Sequence, residues 1–130
     1  MSQQLFEAAR AAMAKCHAPY SKFPVGAAIL ADDGNIYAGA NIEVLSFPEG
    51  WCAETTAIGH MVMAGAKRIR EVAVIAEKLE LCPPCGGCRQ RLAEFADADA
   101  LVHLCDADGV RKTLRMDELL PHGFQTEAIG

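Results

Sequence analysis

Apolar positions along the chain follow two different periods. Across residues 5–16 they recur at helical spacing, with Leu5, Ala8, Ala9, Ala12 and Met13 on one face, which predicts an amphipathic helix stopped by Pro19. Residues 25–31 form a continuous apolar run of strand length, Asp32-Asp33-Gly34-Asn35 has the composition of a hairpin turn, and residues 36–40 read as the return strand. Residues 41–51 contain Pro48 and Gly50 and no period, so a loop is expected. The helical period returns over residues 52–65, where Ala57, Ile58, Met61, Val62 and Ala64 are apolar. Beyond it the pattern predicts a strand over 71–76, a helix over 86–95 and a strand over 101–105. A turn at Asp106-Ala107-Asp108-Gly109 leads to a further strand over 110–114 and a short helix over 116–120 ended by Pro121. A helix, a hairpin, and then helices alternating with strands imply an α/β arrangement, a mixed sheet covered by helices.

Length and composition narrow the class. The 130 residues suffice for one domain, 1–130, with a core of its own. Hydrophobic residues make up 52% and charged ones 22%, an ordinary globular balance. No apolar run approaches the roughly 20 residues that cross a bilayer, so no membrane partner is expected. Met1-Ser2-Gln3-Gln4 lacks the basic start of a signal peptide, and a cytoplasmic location is the expectation. A net charge of −5 and a pI near 5.3 argue against a polynucleotide partner, which needs clustered Lys and Arg. The basic cluster at Lys67, Arg68 and Arg70 is read as solvated charge beside a helix C-terminus rather than an anion site. A small uncharged or weakly charged substrate fits better.

The cysteines carry the chemistry. Four of the six lie between Cys52 and Cys88, and nothing marks a secreted disulfide protein, so a metal site is the better reading. Cys85 and Cys88 flank a Gly-Gly turn that can aim both sulfurs at one ion about 2.3 Å away. Cys52 as third ligand leaves a tetrahedral site one position short, where water can bind and react. Glu54, two residues after Cys52, is placed to move the protons. Competing readings stand beside this one. With Cys82 as fourth ligand the site is a closed structural zinc clip, and the Cys85/Cys88 pair alone is a redox motif. Glu54 alone is a charge on a helix N-terminus, Asn41 and Glu43 alone are loop caps, and Phe23 and Phe47 are core or interface aromatics. His60 lies two helical turns past Cys52, about 12 Å by helix rise, and is too distant to share the ion; His17 and His122 suit surface or helix-end roles. Cys16 and Cys105 are expected to be buried as small apolar residues.

Five stretches, read together, resemble the small three-cysteine, homotetrameric cytidine deaminases, over residues 16–124. They are the run from Pro19-Tyr20-Ser21-Lys22-Phe23 to Pro24-Val25-Gly26-Ala27-Ala28, Asn41-Ile42-Glu43, Cys52-Ala53-Glu54, Pro84-Cys85-Gly86-Gly87-Cys88-Arg89-Gln90, and Glu118-Leu119-Leu120-Pro121 leading to Phe124. The resemblance implies a three-layer α/β/α sandwich with a five-stranded mixed sheet, and four subunits that complete one another's sites. It implies zinc, one ion per subunit, on Cys52, Cys85 and Cys88, with Glu54 as proton shuttle. It further implies that the backbone at Ala53 reads the pyrimidine, that Asn41 and Glu43 hold the ribose hydroxyls, and that Phe23 and Phe124 flank the ring, Phe124 across a subunit boundary. The activity implied is hydrolytic deamination of cytidine and deoxycytidine. The alternatives are an analogue such as a blasticidin-type nucleoside as substrate, and a zinc-stabilised binding module without turnover. Three positions depart from the family pattern: Thr55 stands where an Arg is usual, Val44 where an Asn is, and Phe47 where a Tyr is. Three thiolates on a divalent ion leave one negative charge unbalanced, and Arg89, with the two helix N-termini and the Thr55 hydroxyl, is the expected compensation.

Overall fold

The continuous apolar run in the first hairpin strand has a direct structural cause: this strand is covered on both faces. A computed structural model describes residues 2–78 and 83–124. Its elements are α1 (Ser2–Met13), β1 (Val25–Ala31), β2 (Ile36–Ala40), α2 (Ala53–Met63), β3 (Ile69–Ala76), α3 (Gly86–Phe95), β4 (Ala96–Asp106), β5 (Gly109–Arg115) and α4 (Met116–Leu119). The five strands form one sheet in the order β2-β1-β3-β4-β5. All neighbours are antiparallel except β3 and β4, whose parallel pairing requires the α3 crossover between them. Along β1, Ala28 and Leu30 face α1 with Ala73, Ile75 and Cys105, while Ala27, Ile29 and Ala31 face α2, α3 and α4 with Val72, Val74, Val102 and Leu104. The strand period of two thus splits the core into two layers, and the α/β/α sandwich follows.

The hairpin, β1, β2 and α3 lie where the sequence pattern put them. Gly34 closes the turn at φ +84°, in the region that favours glycine. Other boundaries move for physical reasons. α1 starts at Ser2 and ends at Met13, earlier than the 5–16 expected. Cys16 and His17 leave the helix because the His17 backbone pairs with Asn41 and Glu43 across a bridge to Ile42. Cys16 is therefore half-buried, whereas Cys105 is buried as anticipated. Residues 41–51 are a loop, but one tied by Ile42 to both His17 and Trp51 and tightened by a single 3₁₀ turn at Phe47–Glu49. Val62 on α2 and Ala64 just past its end are exposed rather than core-facing. β3 starts two residues early, and β4 begins at Ala96, directly after α3, through an irregular stretch where Arg68 bonds Asp97 at 2.5 Å. That pairing accounts for the central member of the basic cluster. One buried polar side chain bridges three strands: His103 Nε2 lies 2.8 Å from Glu71 Oε1 and its Nδ1 2.8 Å from Thr113 Oγ1. No helix among the described residues is long and apolar enough to cross a membrane.

Two glycines set how closely the helices dock. A Cβ on Gly26 would fall 2.1 Å from the Ala9 carbonyl oxygen of α1, and one on Gly39 would fall 2.5 Å from the Ala57 nitrogen of α2. Both clashes are with backbone, so relief requires a whole helix to move. Gly39→Ala should therefore cost about 1–3 kcal/mol and displace α2. Urea unfolding measures this, and an unchanged midpoint would show that α2 does not depend on the close approach.

Candidate metal centre and cavity

α2 and α3 begin side by side, and a cysteine occupies the N-cap of each. Cys52 has φ −71° and ψ 158°, and Cys85 has φ −65° and ψ 167°. Neither side chain makes the capping bond that a Ser or Asp would, so both thiols are free to point outward from the helix start. Cys88, one turn into α3, is fully buried. The three sulfurs lie within 4.8 Å of one another, with Cys52 and Cys85 at 3.7 Å. Sulfurs bound tetrahedrally at about 2.3 Å stand about 3.8 Å apart, whereas a disulfide needs about 2.05 Å. The donor set therefore fits zinc and not a bridge. Unpaired helix amides at both N-termini favour negative charge there. A hydrogen bond from Cys88 holds the Cys52 thiol below its ordinary range. The same bond, with burial, pushes Cys88 far up. Cys82, the alternative fourth ligand, lies outside the described residues.

Glu54 follows Cys52 in the first turn of α2 and is only 4% exposed. Burial raises its carboxyl above the usual range, against the opposing pull of its own backbone amide and of Arg91. Thr55 Oγ1 lies 3.7 Å from Cys88 Sγ. Arg89 does not reach the thiols: its Nε donates to the Pro84 carbonyl at 2.8 Å and its Nη1 to the Leu119 carbonyl at 3.1 Å. The reason is helical geometry, since the residue after a ligand points about 100° away while the third residue after it shares its face. Arg91 is that third residue. Its Nη1 donates to Thr55 Oγ1 at 3.3 Å and lies 4.0 Å from Cys88 Sγ. The expectation for Arg89 is thus corrected, and the i, i+3 spacing from Cys88 was the signal that identifies Arg91.

A cavity of about 500 Å³ opens onto Cys52 and Cys85. Cys52, Ala53, Glu54 and Cys85 form its floor; Val44, Phe47 and Trp51 contribute apolar wall; Tyr20, Ser21, Asn41 and Glu43 form the far rim. Glu43 accepts bonds from the Tyr20 and Ser21 amides at 3.0 and 3.1 Å and from the Ser21 hydroxyl, which hold its carboxyl below the usual range. Asn41 Oδ1 accepts from the Val25 amide at 3.0 Å and its Nδ2 donates to the Phe23 carbonyl at 2.9 Å. Both side chains thus fasten the segment 20–25 that shapes the rim, the loop-capping role their residue types suggested. Phe23 does not line the cavity of its own chain, and neither does Phe124. Phe124 is exposed and is held by two backbone bonds to the Gln90 side chain, each 3.1 Å. No histidine joins the thiols among the described residues; His60 packs edge-on against Tyr37 with its Nδ1 3.3 Å from the Ala38 carbonyl oxygen. Trp51 and Tyr20 carried no periodic signal that marked them as cavity lining, because they belong to the aperiodic segments.

Comparison with known proteins agrees with this site. Residues 1–104 match the family model described as the cytidine and deoxycytidylate deaminase zinc-binding region. A cytidine deaminase of Sporosarcina psychrophila is 39% identical over 127 residues, covering 98% of this chain and 93% of the relative. One of Halalkalibacterium halodurans is 40% identical over 125 residues, covering 96% and 95%. The crystal structure of cytidine deaminase from Burkholderia pseudomallei superposes with a TM-score of 0.89 at 37% identity, over 95% of this chain and 99% of that one. The match spans the thiols, the glutamate and most of the sheet that carries them, and the chain belongs to the cytidine and deoxycytidylate deaminase family.

Proposed function

We propose that this protein hydrolyses the exocyclic amine of cytidine and deoxycytidine, giving uridine or deoxyuridine and ammonia. The observation that carries the reading is the floor of the cavity, where Cys52, Cys85 and the buried Glu54 face one space and the buried Cys88 closes a cluster of three sulfurs within 4.8 Å. Zinc held by Cys52, Cys85 and Cys88 supplies a Lewis acid that lowers the pKa of water toward about 7. Glu54 takes a proton from the attacking water and delivers it to the ring nitrogen beside the reacting carbon; it then moves the proton of the newly bound hydroxyl to the departing amine, which leaves as ammonia. The C–O bond forms at that carbon, the C–N bond breaks, and Glu54 ends as it began. Because it is buried beside the thiols and not a ligand, its carboxyl serves both transfers without leaving the site. The apolar wall from Val44, Phe47 and Trp51 suits a flat uncharged base, and what supports assigning the Ala53 backbone to its polar edge is that Ala53 lines the floor.

At the rim, Asn41 and Glu43 offer donors and acceptors to the ribose hydroxyls. Their existing bonds to segment 20–25 support this by fixing where those groups stand. Phe23 is assigned to flank the ring, and Phe124 to reach it from a neighbouring subunit of a homotetramer. What supports that assembly is the number of large apolar side chains left uncovered, among them Met63 at 86%, Leu45 at 80% and Phe47 at 67% exposure.

Loss of the cytidine absorbance on incubation with the purified protein distinguishes an enzyme from a zinc-stabilised module. Glu54→Gln should keep one zinc per chain while turnover falls by at least about 10²–10⁴-fold; retained turnover would remove Glu54 from the mechanism. Cys82→Ser should leave metal content and activity unchanged, whereas loss of the metal would mean a closed four-sulfur site. Sedimentation should give a species of four chains, and a monomer with full activity would overturn the shared-site assignment of Phe124.

A further inference from the structure

Three thiolates around a divalent ion leave the centre one charge negative, and no Lys or Arg other than Arg91 among the described residues makes a hydrogen-bond contact with a thiol. We propose that Arg91 is a positioning residue of the metal centre, its guanidinium anchored on Thr55 and laid against Cys88 to supply the missing positive charge. This rests on the zinc reading of the cysteine cluster. The anchor crosses between helices: Thr55 belongs to the first turn of α2 and Arg91 to the second turn of α3. Arg91 Nη1 donates to Thr55 Oγ1 at 3.3 Å, Thr55 Oγ1 stands 3.7 Å from Cys88 Sγ, and Arg91 Nη1 stands 4.0 Å from the same sulfur. Thr55 is neutral, so its hydroxyl orients the cation without replacing it.

A third position completes the arrangement. A Cβ on Gly87 would lie 3.2 Å from Arg91 Nη1 and 3.8 Å from its Cζ. The missing side chain between the two ligands of the Cys85/Cys88 clip leaves the lane in which the guanidinium lies. Arg89, the other arginine on this turn, is committed to the Pro84 and Leu119 carbonyls and serves the fold. The charge of Arg91 acts on the metal through Cys88 and Thr55, as groups outside a ligand sphere do when they tune the ligands within it.

The test is the rate at which a colorimetric chelator removes zinc from the holoenzyme at low salt. R91Q should lose its metal about 10–100-fold faster than the native protein. R91K should fall between, because an ammonium restores the charge but not the planar fork. Raising ionic strength should shrink the difference, since Arg91 is exposed, and the thermal midpoint of the metal-free protein should be the same for R91Q and native. G87A, which crowds the guanidinium, should shift zinc release in the same direction. Native release rates in R91Q, or equal acceleration in R91Q and R91K, would overturn the assignment. A metal-free native protein would instead overturn the zinc reading itself, so the two failures are distinguishable.

Discussion

The structure depends on two helices starting at the same place. α2 and α3 dock on one face of the sheet so that Cys52 and Cys85 cap neighbouring N-termini, and everything chemical follows from that convergence. Neither cap makes a side-chain hydrogen bond, which forgoes about 0.5–2 kcal/mol at each helix. α3 also opens on Gly86 and Gly87, each about 1 kcal/mol less favourable in a helix than Ala. The start of α3 is therefore intrinsically weak. Metal binding at such a site is also folding energy, so the ion that serves the chemistry also secures the turn that holds it.

The α2 side of the site is fixed differently. It is buried at Ala53 and Glu54 in the first turn and at Ala57 in the next, and the approach of Ala57 to Gly39 sets the helix close against β2. A buried, closely docked helix start thus presents Cys52 and Glu54 to a partner helix whose first turn carries two glycines and the buried Cys88. The rim follows the same logic: Glu43 and Asn41 hold segment 20–25, in which Lys22 adopts φ +56°, a conformation uncommon for a side-chain-bearing residue.

Much of this was legible in the chain because it rests on local pattern. The uninterrupted run over Val25–Ala31 signals a strand covered on both sides, and the Asp-Asp-Gly-Asn turn fixes the hairpin without tertiary information. Cysteine spacing and the glutamate two residues after Cys52 identify the floor of the site for the same reason. What the pattern missed depends on distant partners. Asp97 and Asp99 are poor strand formers, and β4 extends back over them because Arg68 reaches across to Asp97 and β3 supplies a parallel neighbour. Val62 has the spacing of a core residue but falls off the edge of the α2 face that Ala53, Ala57 and Met61 bury, and is 46% exposed. Trp51 and Tyr20 reach the cavity only because loop segments cross there. Arg89 and Arg91 separate once α3 is treated as a helix with a facing side: adjacency in sequence suggested Arg89, and shared face selects Arg91.

Charge at the floor of the cavity closes only when all these parts are counted together. Three thiolates and Glu54 bring four negative charges into a space lined by apolar side chains, where isolated ions are costly. Zinc offsets two, Arg91 offsets one, and the two helix N-termini each contribute the equivalent of roughly half a positive charge. The sum is near neutrality, and it is reached without any charged group at the apolar wall. A neutral floor beneath a flat apolar slot neither attracts nor repels an uncharged base, so recognition falls to shape and to the hydrogen-bonding groups at floor and rim. In a chain of net charge −5 that arrangement disfavours polyanions at the surface and spares a neutral nucleoside the cost of crossing a strong local field.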